Sequence, residues 1–289
     1  MESEVQVIRL KHMVVPDDPA TLCDLLAVHS GLSKSRIKKA MTCGAAWKAR
    51  PGAKLRRVRR ATTRVQSGDR VALYYDESIL NRIPPAARCI RDLRAYSIWF
   101  KPANLMTQGS LFGDHASLIR QVEHFFAPRR KAYPVHRLDR ETSGLLLVAH
   151  TTGAAARLSR MFASRKIQKT YRAWVLGDLR SQGATGTIDR PLDKRRAVTQ
   201  YEHLLYDAPS NRSLVQVILV TGRRHQIRRH FDAIGHPVMG DPRYGSGNKN
   251  ESGLQLIAYG LSFVCPIGNG TVSETLDGTN ANAKNFEIL

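Results

Sequence analysis

The chain has 289 residues, enough for one large domain or a core with a smaller companion, and 42% of them are hydrophobic, which excludes wholesale disorder. Forty-five Lys and Arg stand against 24 Asp and Glu, a formal net charge of +21 with an isoelectric point near 10.4. That surplus suits a polyanion, and nucleic acid fits better than a membrane, because the longest compact apolar run, Leu145–Ala149, is far short of the ~20 residues a spanning helix needs.

In chain order, Glu2 and Glu4 without an apolar stretch argue against a secretory signal, and alternation around Val5–Leu10 predicts a short strand. Asp17 and Asp18 are expected to cap a helix with Pro19 in its first turn, where a missing N–H costs nothing. Leu22, Leu25 and Leu26 form its apolar stripe and Gly31 closes it. A second helix follows Ser33, running through Ile37, Ala40 and Met41 to Gly44 with Lys34, Arg36, Lys38 and Lys39 outward. Lys48 to Arg64 then holds eight basic residues and no acid, around a Pro51–Gly52 turn, before a strand at Arg70–Tyr75. Residues 1–80 thus read as a small domain whose single-signed helix and hairpin suit phosphate contacts.

Residues 81–94, with Pro84–Pro85, read as a linker, and residues 95–289 as the main domain. Strands are predicted at Ser97–Phe100, Leu145–Ala149, Lys169–Leu176 and Leu214–Val220. Helices are predicted over Leu118–Phe126, after a Thr151/Thr152 cap with Ala154, Leu158, Met161 and Phe162 inward, and from about Arg224 to Gly235. Strands and helices without a regular βαβ alternation indicate an α+β fold. From about residue 267 to 289 the chain is polar and rich in Gly, Asn and Thr, and is expected to be a loose tail. Cys23, Cys43, Cys89 and Cys265 form no CxxC pair, which argues against a disulfide framework or a zinc cage and for a cytoplasmic protein.

Three segments can carry chemistry. In HRLDRETSG, His136–Gly144, Asp139 stands among Arg137, Arg140, Thr142 and Ser143 just before a buried strand. An ionised carboxylate there can act as a nucleophile, or it can brace a loop through an Asp–Arg pair; spacing alone favours the brace. In TGRRHQIRRH, Thr221–His230, Arg224 and Arg228 share a helix face beside Arg223 and Arg229, as on any RNA-facing basic helix. His225, His230 and His236 have no metal-ligand spacing, so zinc is rejected. In KTYRAWV, Lys169–Val175, Tyr171 shares a strand face with Ala173 and Val175 and reads as core.

Taken together, the three segments resemble the RluA-type pseudouridine synthases: HRLDxxTSG is intact at His136–Gly144, KxYxA appears as Lys169, Tyr171 and Ala173, TGRxHQIRxH runs from Thr221 to His230, and Lys101–Pro102 also fits. The likeness spans roughly residues 95–265 and implies a catalytic domain with a central mixed, mainly antiparallel sheet. It implies conversion of a uridine in RNA to its C-glycoside isomer with no metal or cofactor. It further implies that Asp139 is the nucleophile or base, that Arg228 pairs with it, that Tyr171 stacks on the flipped base, and that Arg137 fills the place the base leaves. Arg140 and Arg223 then join Lys34, Arg36, Lys38 and Lys39 as candidates for gripping the RNA backbone. GLSKSRIKKAMTCGAAW, Gly31–Trp47, resembles an S4-like RNA-binding domain. Ribosomal RNA is the expected target, transfer RNA the second, and a monomer is expected. A non-catalytic RNA-binding or ribosome-assembly protein on such a scaffold would show a broken set of residues, yet Asp139, Tyr171 and Arg228 are all present. A DNA-binding protein would show a recognition helix or dimer signature, and neither is visible.

Overall fold

Seven residues that alternate between exposed and half-buried, Val7–Met13, form the first strand, β1, in a computed structural model that describes residues 6–128, 130–268 and 270–276. Helix α1 (Leu22–Ser30) follows, then α2 (Lys34–Thr42), β2 (Ala46–Ala49), β3 (Arg56–Arg57), β4 (Arg70–Asp76) and a single turn, α3 (Glu77–Leu80). These strands form an antiparallel sheet in the order β1-β4-β2-β3. Leu22, Leu25 and Leu26 of α1 pack with Ile37 and Met41 of α2 and Leu73 of β4, all fully buried. Removing each such side chain from water contributes about 1.5–3 kcal/mol, which is what holds two nine-residue helices that are too short to persist alone. Ser33 caps α2 as expected, its Oγ accepting from Arg36 N–H. The cap of α1 is Thr21 rather than Asp17 or Asp18: Thr21 Oγ1 accepts from Asp24 N–H, while the Asp18 carboxylate is engaged by His12, His29 and Val15 N–H.

This first unit comprises residues up to Pro84 together with Gln108–Gln121, so the loop that the sequence places inside the main domain packs with the N-terminal one. The basic hairpin explains the attachment. Arg59 donates to both oxygens of Asp114 at 2.8 and 2.6 Å, Arg57 donates to the Ser110 carbonyl, and Trp47 Nε1 donates to Leu111 O at 3.1 Å.

The second unit comprises Pro85–Thr107 and the residues from Val122 onward. Its elements are β5 (Arg88–Asp92), β6 (Tyr96–Lys101), α4 (Leu118–Phe125, through which the chain returns from the first unit), β7 (Tyr133–Pro134), β8 (Ser143–Ala149), α5 (Thr152–Ala163), β9 (Gln168–Leu176), a 3₁₀ turn (Leu179–Gln182), β10 (Thr185–Asp189), β11 (Val198–Asp207), β12 (Arg212–Leu219), α6 (Gln226–Ala233), β13 (Leu256–Val264) and β14 (Thr271–Thr275). The sheet runs β10-β11-β12-β9-β13-β8-β6-β5, with β14 on β13 and β7 on β8. Its one parallel pairing among the described residues joins β13 to β8 at Ile257–Ser143 and Ala258–Gly144, so the sheet is mixed and mainly antiparallel. Every residue of β8 is buried, and Leu145, Leu147 and Ala149 share a core with Ile98, Leu158, Trp174 and Ile257. Thr151 caps α5, with Ala154 and Leu158 buried and Met161 and Phe162 partly so.

Two expectations fail at the margins. Residues 88–92, read as linker, form β5 and pair with β6, because Cys89 and Ile90 supply the half-buried positions that Pro84–Pro85 obscured. Thr271–Thr275, read as loose tail, add β14 to the edge of β13 with Val272 buried; residues 277–289 of that tail lie outside the described residues. Among the described residues no helix is long and apolar enough to cross a membrane.

Candidate active site

His136–Thr142 lie between β7 and β8 and are held from below. Thr107 Oγ1 donates to Leu138 O at 2.8 Å and accepts from Leu138 N–H at 3.1 Å, clasping the residue before Asp139. Fully buried Lys101 donates from Nζ to Leu105 O, Pro102 O and Arg140 O at 2.7, 3.0 and 3.1 Å, tying the end of β6 to the residue after Asp139. Burial pushes the Lys101 amine down to about 7, against the pull of Glu141 and Asp139. His136 Nε2 accepts from Leu147 N–H at 2.9 Å and its ring stacks on Phe162, 4.2 Å between centroids. Desolvation, with Lys169 nearby, pushes that imidazole down to about 3, so it is the neutral acceptor this contact requires. Gly144 enters β8 at φ +119°, and a Cβ there would collide with the backbone of Ala258, so the parallel β8–β13 contact requires glycine.

Asp139 faces a cleft of about 1010 Å³ with Arg137, Tyr171, His225 and Arg228 among its lining residues. Tyr171, on β9, is buried, and burial followed by the Asp139 charge raises its hydroxyl well above the ordinary value. Arg137 is exposed at the mouth of the cleft. Arg223 also lines the cleft, its Nε donating to Arg196 O at 3.1 Å, whereas Arg140 is exposed and turns to Glu141 at 3.1 Å.

Arg228 faces Asp139 as an ion pair at 3.9 Å, but its hydrogen bonds go elsewhere. Only 2% exposed, it grips Asp241 with two parallel bonds of 2.7 Å from Nε and Nη2. Its remaining nitrogen, Nη1, points between Asp139 (3.9 Å) and Glu141 (3.6 Å) and has no hydrogen-bond partner among the described residues. A planar guanidinium can serve two directions in this way, as a lysine cannot. Asp241 is completely buried; burial pushes its carboxyl up, but Arg228 and the N–H groups of Arg243 and Tyr244 more than offset this and hold it below the usual range.

His225 is a second group missed from the sequence. It precedes α6 in the left-handed region, φ 54° and ψ 30°, which is why the helix starts at Gln226 rather than Arg224. Its Nδ1 lies 3.0 Å from Tyr244 Oη and its Nε2 lies 3.7 Å from Asp139 Oδ1. Desolvation lowers its pKa, with Asp139 pulling the other way. Gln226 locks this turn by accepting from Thr221 Oγ1 and Arg223 N–H and donating to Val198 O and Thr199 Oγ1. Thr221–Arg228 is therefore a braced turn that aims His225 and Arg228 at Asp139.

In the first unit the backbone-contact candidates divide. Lys34 pairs with Asp24 at 2.6 Å, Arg36 donates to Tyr75 Oη and Glu77, and Lys39 donates to Asn81. Lys38 is exposed, as are Arg50, Lys54, Arg56, Arg60 and Arg64 of the hairpin.

Residues 95–233 match the RNA pseudouridylate synthase family. The chain is 33% identical to a tRNA pseudouridine synthase C of Pasteurella multocida over 58% of its own length and 81% of the relative's. It is 37% identical to a ribosomal large subunit pseudouridine synthase D of Zymomonas mobilis over 48% of its own length, spanning half of that relative. Among solved structures, human RNA pseudouridylate synthase domain containing 1 superposes with a TM-score of 0.54 at 24% identity, covering 71% of this chain and 97% of that one, which supports the fold.

Proposed function

The chain belongs to the RluA-type family of RNA pseudouridine synthases, and on that premise we propose that Asp139 carries the isomerisation of a flipped-out uridine in ribosomal RNA. The enzyme is an isomerase acting on RNA. The observation that carries the assignment to Asp139 is the state of its carboxylate. It lies in the cleft with the His225 imidazole at 3.7 Å and the Arg228 guanidinium at 3.9 Å, while that arginine's hydrogen bonds go to Asp241.

The reaction breaks N1–C1′, turns the uracil, forms C5–C1′, releases the C5 proton and returns one proton to N1, so no atom is gained or lost. A stacked base is out of reach, and the nucleotide must leave the helix or loop to enter the cleft. Asp139 can begin the sequence by attack at C1′, by attack at uracil C6, or by taking a ribose proton; each needs an ionised oxygen presented to the nucleoside. Tyr171 supplies an apolar face against which the base stacks; its raised pKa keeps the hydroxyl protonated, so it serves the C5 proton only as a relay that passes its own proton on, not as a free base. Arg228 Nη1 and His225 Nε2 hold the carboxylate from two sides. Exposed Arg137 fills the space the base vacates, with Arg223 and Arg140 at backbone phosphates.

For the first unit we infer an S4-like RNA-gripping role, supported by two helices against a small antiparallel sheet and by the exposed cations Lys38, Arg50, Lys54, Arg56 and Arg60. Lys34, Arg36 and Lys39, held by neighbours in their own unit, contribute less. Ribosomal RNA is the favoured target, in keeping with the name of the relative from Zymomonas mobilis, and transfer RNA is the alternative. The test is incubation with unmodified ribosomal and transfer RNA in separate reactions, followed by nucleoside chromatography, since the product has the mass of uridine. Pseudouridine is expected in ribosomal RNA; product confined to transfer RNA overturns the target assignment.

A further inference from the structure

Away from the cleft, three side chains from different parts of the first unit converge. His12 of β1 places Nε2 2.6 Å from Asp18 Oδ2, and His29, in the last turn of α1, places Nε2 2.8 Å from Oδ1 of the same carboxylate. Val15 N–H donates to Oδ2 at 2.8 Å and fixes the carboxylate in its loop. The two imidazoles lie face to face, centroids 4.0 Å apart and planes 31° from parallel, and all three ligating atoms fall within 4.8 Å of one another. The carboxylate is 6% exposed, the imidazoles 21% and 30%, so the cluster is fixed from inside and open on its histidine side.

We propose that His12, Asp18 and His29 form a binding site for a single divalent transition-metal ion of the zinc, cobalt or nickel class. The donors select the class. Two imidazole nitrogens with one carboxylate oxygen suit these borderline ions, whereas magnesium and calcium take oxygen sets. Three protein ligands leave a fourth position, which water or an RNA phosphate oxygen can occupy. Spacings of 6 and 11 residues from Asp18 match no sequence motif; it is the fold, by bringing β1, the loop and α1 together, that makes the set. A bound ion ties these three elements and stabilises the folded unit by linkage.

The test uses the full chain without a histidine tag, stripped with a chelator. Zinc is titrated by calorimetry, cobalt by its visible ligand-field absorption, and melting is followed with and without zinc. One saturable equivalent and a higher melting temperature are expected. His12→Gln, Asp18→Asn and His29→Gln should each weaken binding by at least about tenfold, and His124→Gln, at an exposed histidine elsewhere, should not. No saturable binding by the wild type, or equal binding by the His12→Gln and His29→Gln variants, overturns the proposal. The wild-type titration decides without relying on any variant's folding, and synthase activity is not the readout.

Discussion

Three carboxylates surround Arg228, Asp241, Glu141 and Asp139, and the first and last could hardly be treated more differently. Asp241, in the loop after α6, is completely buried and satisfied by two guanidinium bonds and two backbone N–H groups. Asp139, in the loop before β8, is part-exposed, and the same guanidinium reaches only to 3.9 Å from it. A carboxylate locked by a bidentate arginine is stable and chemically inert; one held at arm's length stays oriented while its oxygens remain available. On the proposed role of Asp139, fastening the arginine to a second acid separates the work of placing a positive charge from the work of reacting.

The strongest way to break this arrangement is Arg228→Ala. It leaves Asp241 charged and buried without its partner, a loss on the order of 3–5 kcal/mol in stability, and it removes the charge facing Asp139. Melting temperature and turnover should both collapse, with Arg228→Lys recovering part of the stability but little of the rate, because an ammonium cannot face both acids. Asp241→Asn keeps the shape and frees Arg228 to swing toward Asp139. It should cut kcat about 10- to 100-fold with KM for RNA nearly unchanged, as a purely structural asparagine defect would not.

The loop's own brace predicts a pH effect. The His136 imidazole, ordinarily near 6.5, is pushed down to about 3 in the fold, so the unfolded chain binds the proton more readily between those values. Its contribution is complete above pH 6.5 and is lost as pH falls toward 3; melting curves of wild type and His136→Asn should converge as the pH is lowered. The smallest expected effect is His225→Gln, which keeps a polar group near Asp139 but loses the imidazole link to Tyr244: about tenfold in kcat, with a changed acid limb of the pH–rate profile. An unchanged profile would make His225 a spacer only.

What the sequence shows of this site depends on how local each interaction is. The segments around Asp139, Tyr171 and Arg228 are contiguous, so the resemblance to the family could name all three, whereas spacing alone reads Asp139 as a brace and Tyr171 as core. Asp241 could not: the Gly240–Asp241–Pro242 turn offers only a short carboxylate in a loop, and its bond to Arg228, 13 residues earlier, exists only once β13 and α6 are in place. The left-handed backbone at His225 has no signal in a run of TGRRHQIRR, since non-glycine residues adopt it only where the surroundings impose it. Sign purity overcounted the free cations of the basic hairpin: Arg57 and Arg59 turn to the Ser110–Asp114 loop, whose acid lies more than fifty residues away. Edge strands β5 and β14 were hidden for the same reason that they are edges, with mostly polar residues and few inward positions.

The most direct measurement compares wild type with Asp139→Asn on the same unmodified RNA, scoring pseudouridine per RNA over time alongside RNA affinity and melting temperature. With Asp139 doing the chemistry and Arg228 anchored by Asp241, the variant should bind RNA and melt as the wild type does while forming no pseudouridine. Pseudouridine formation by the variant at a rate near that of the wild type would contradict the account and return Asp139 to the role of a loop brace.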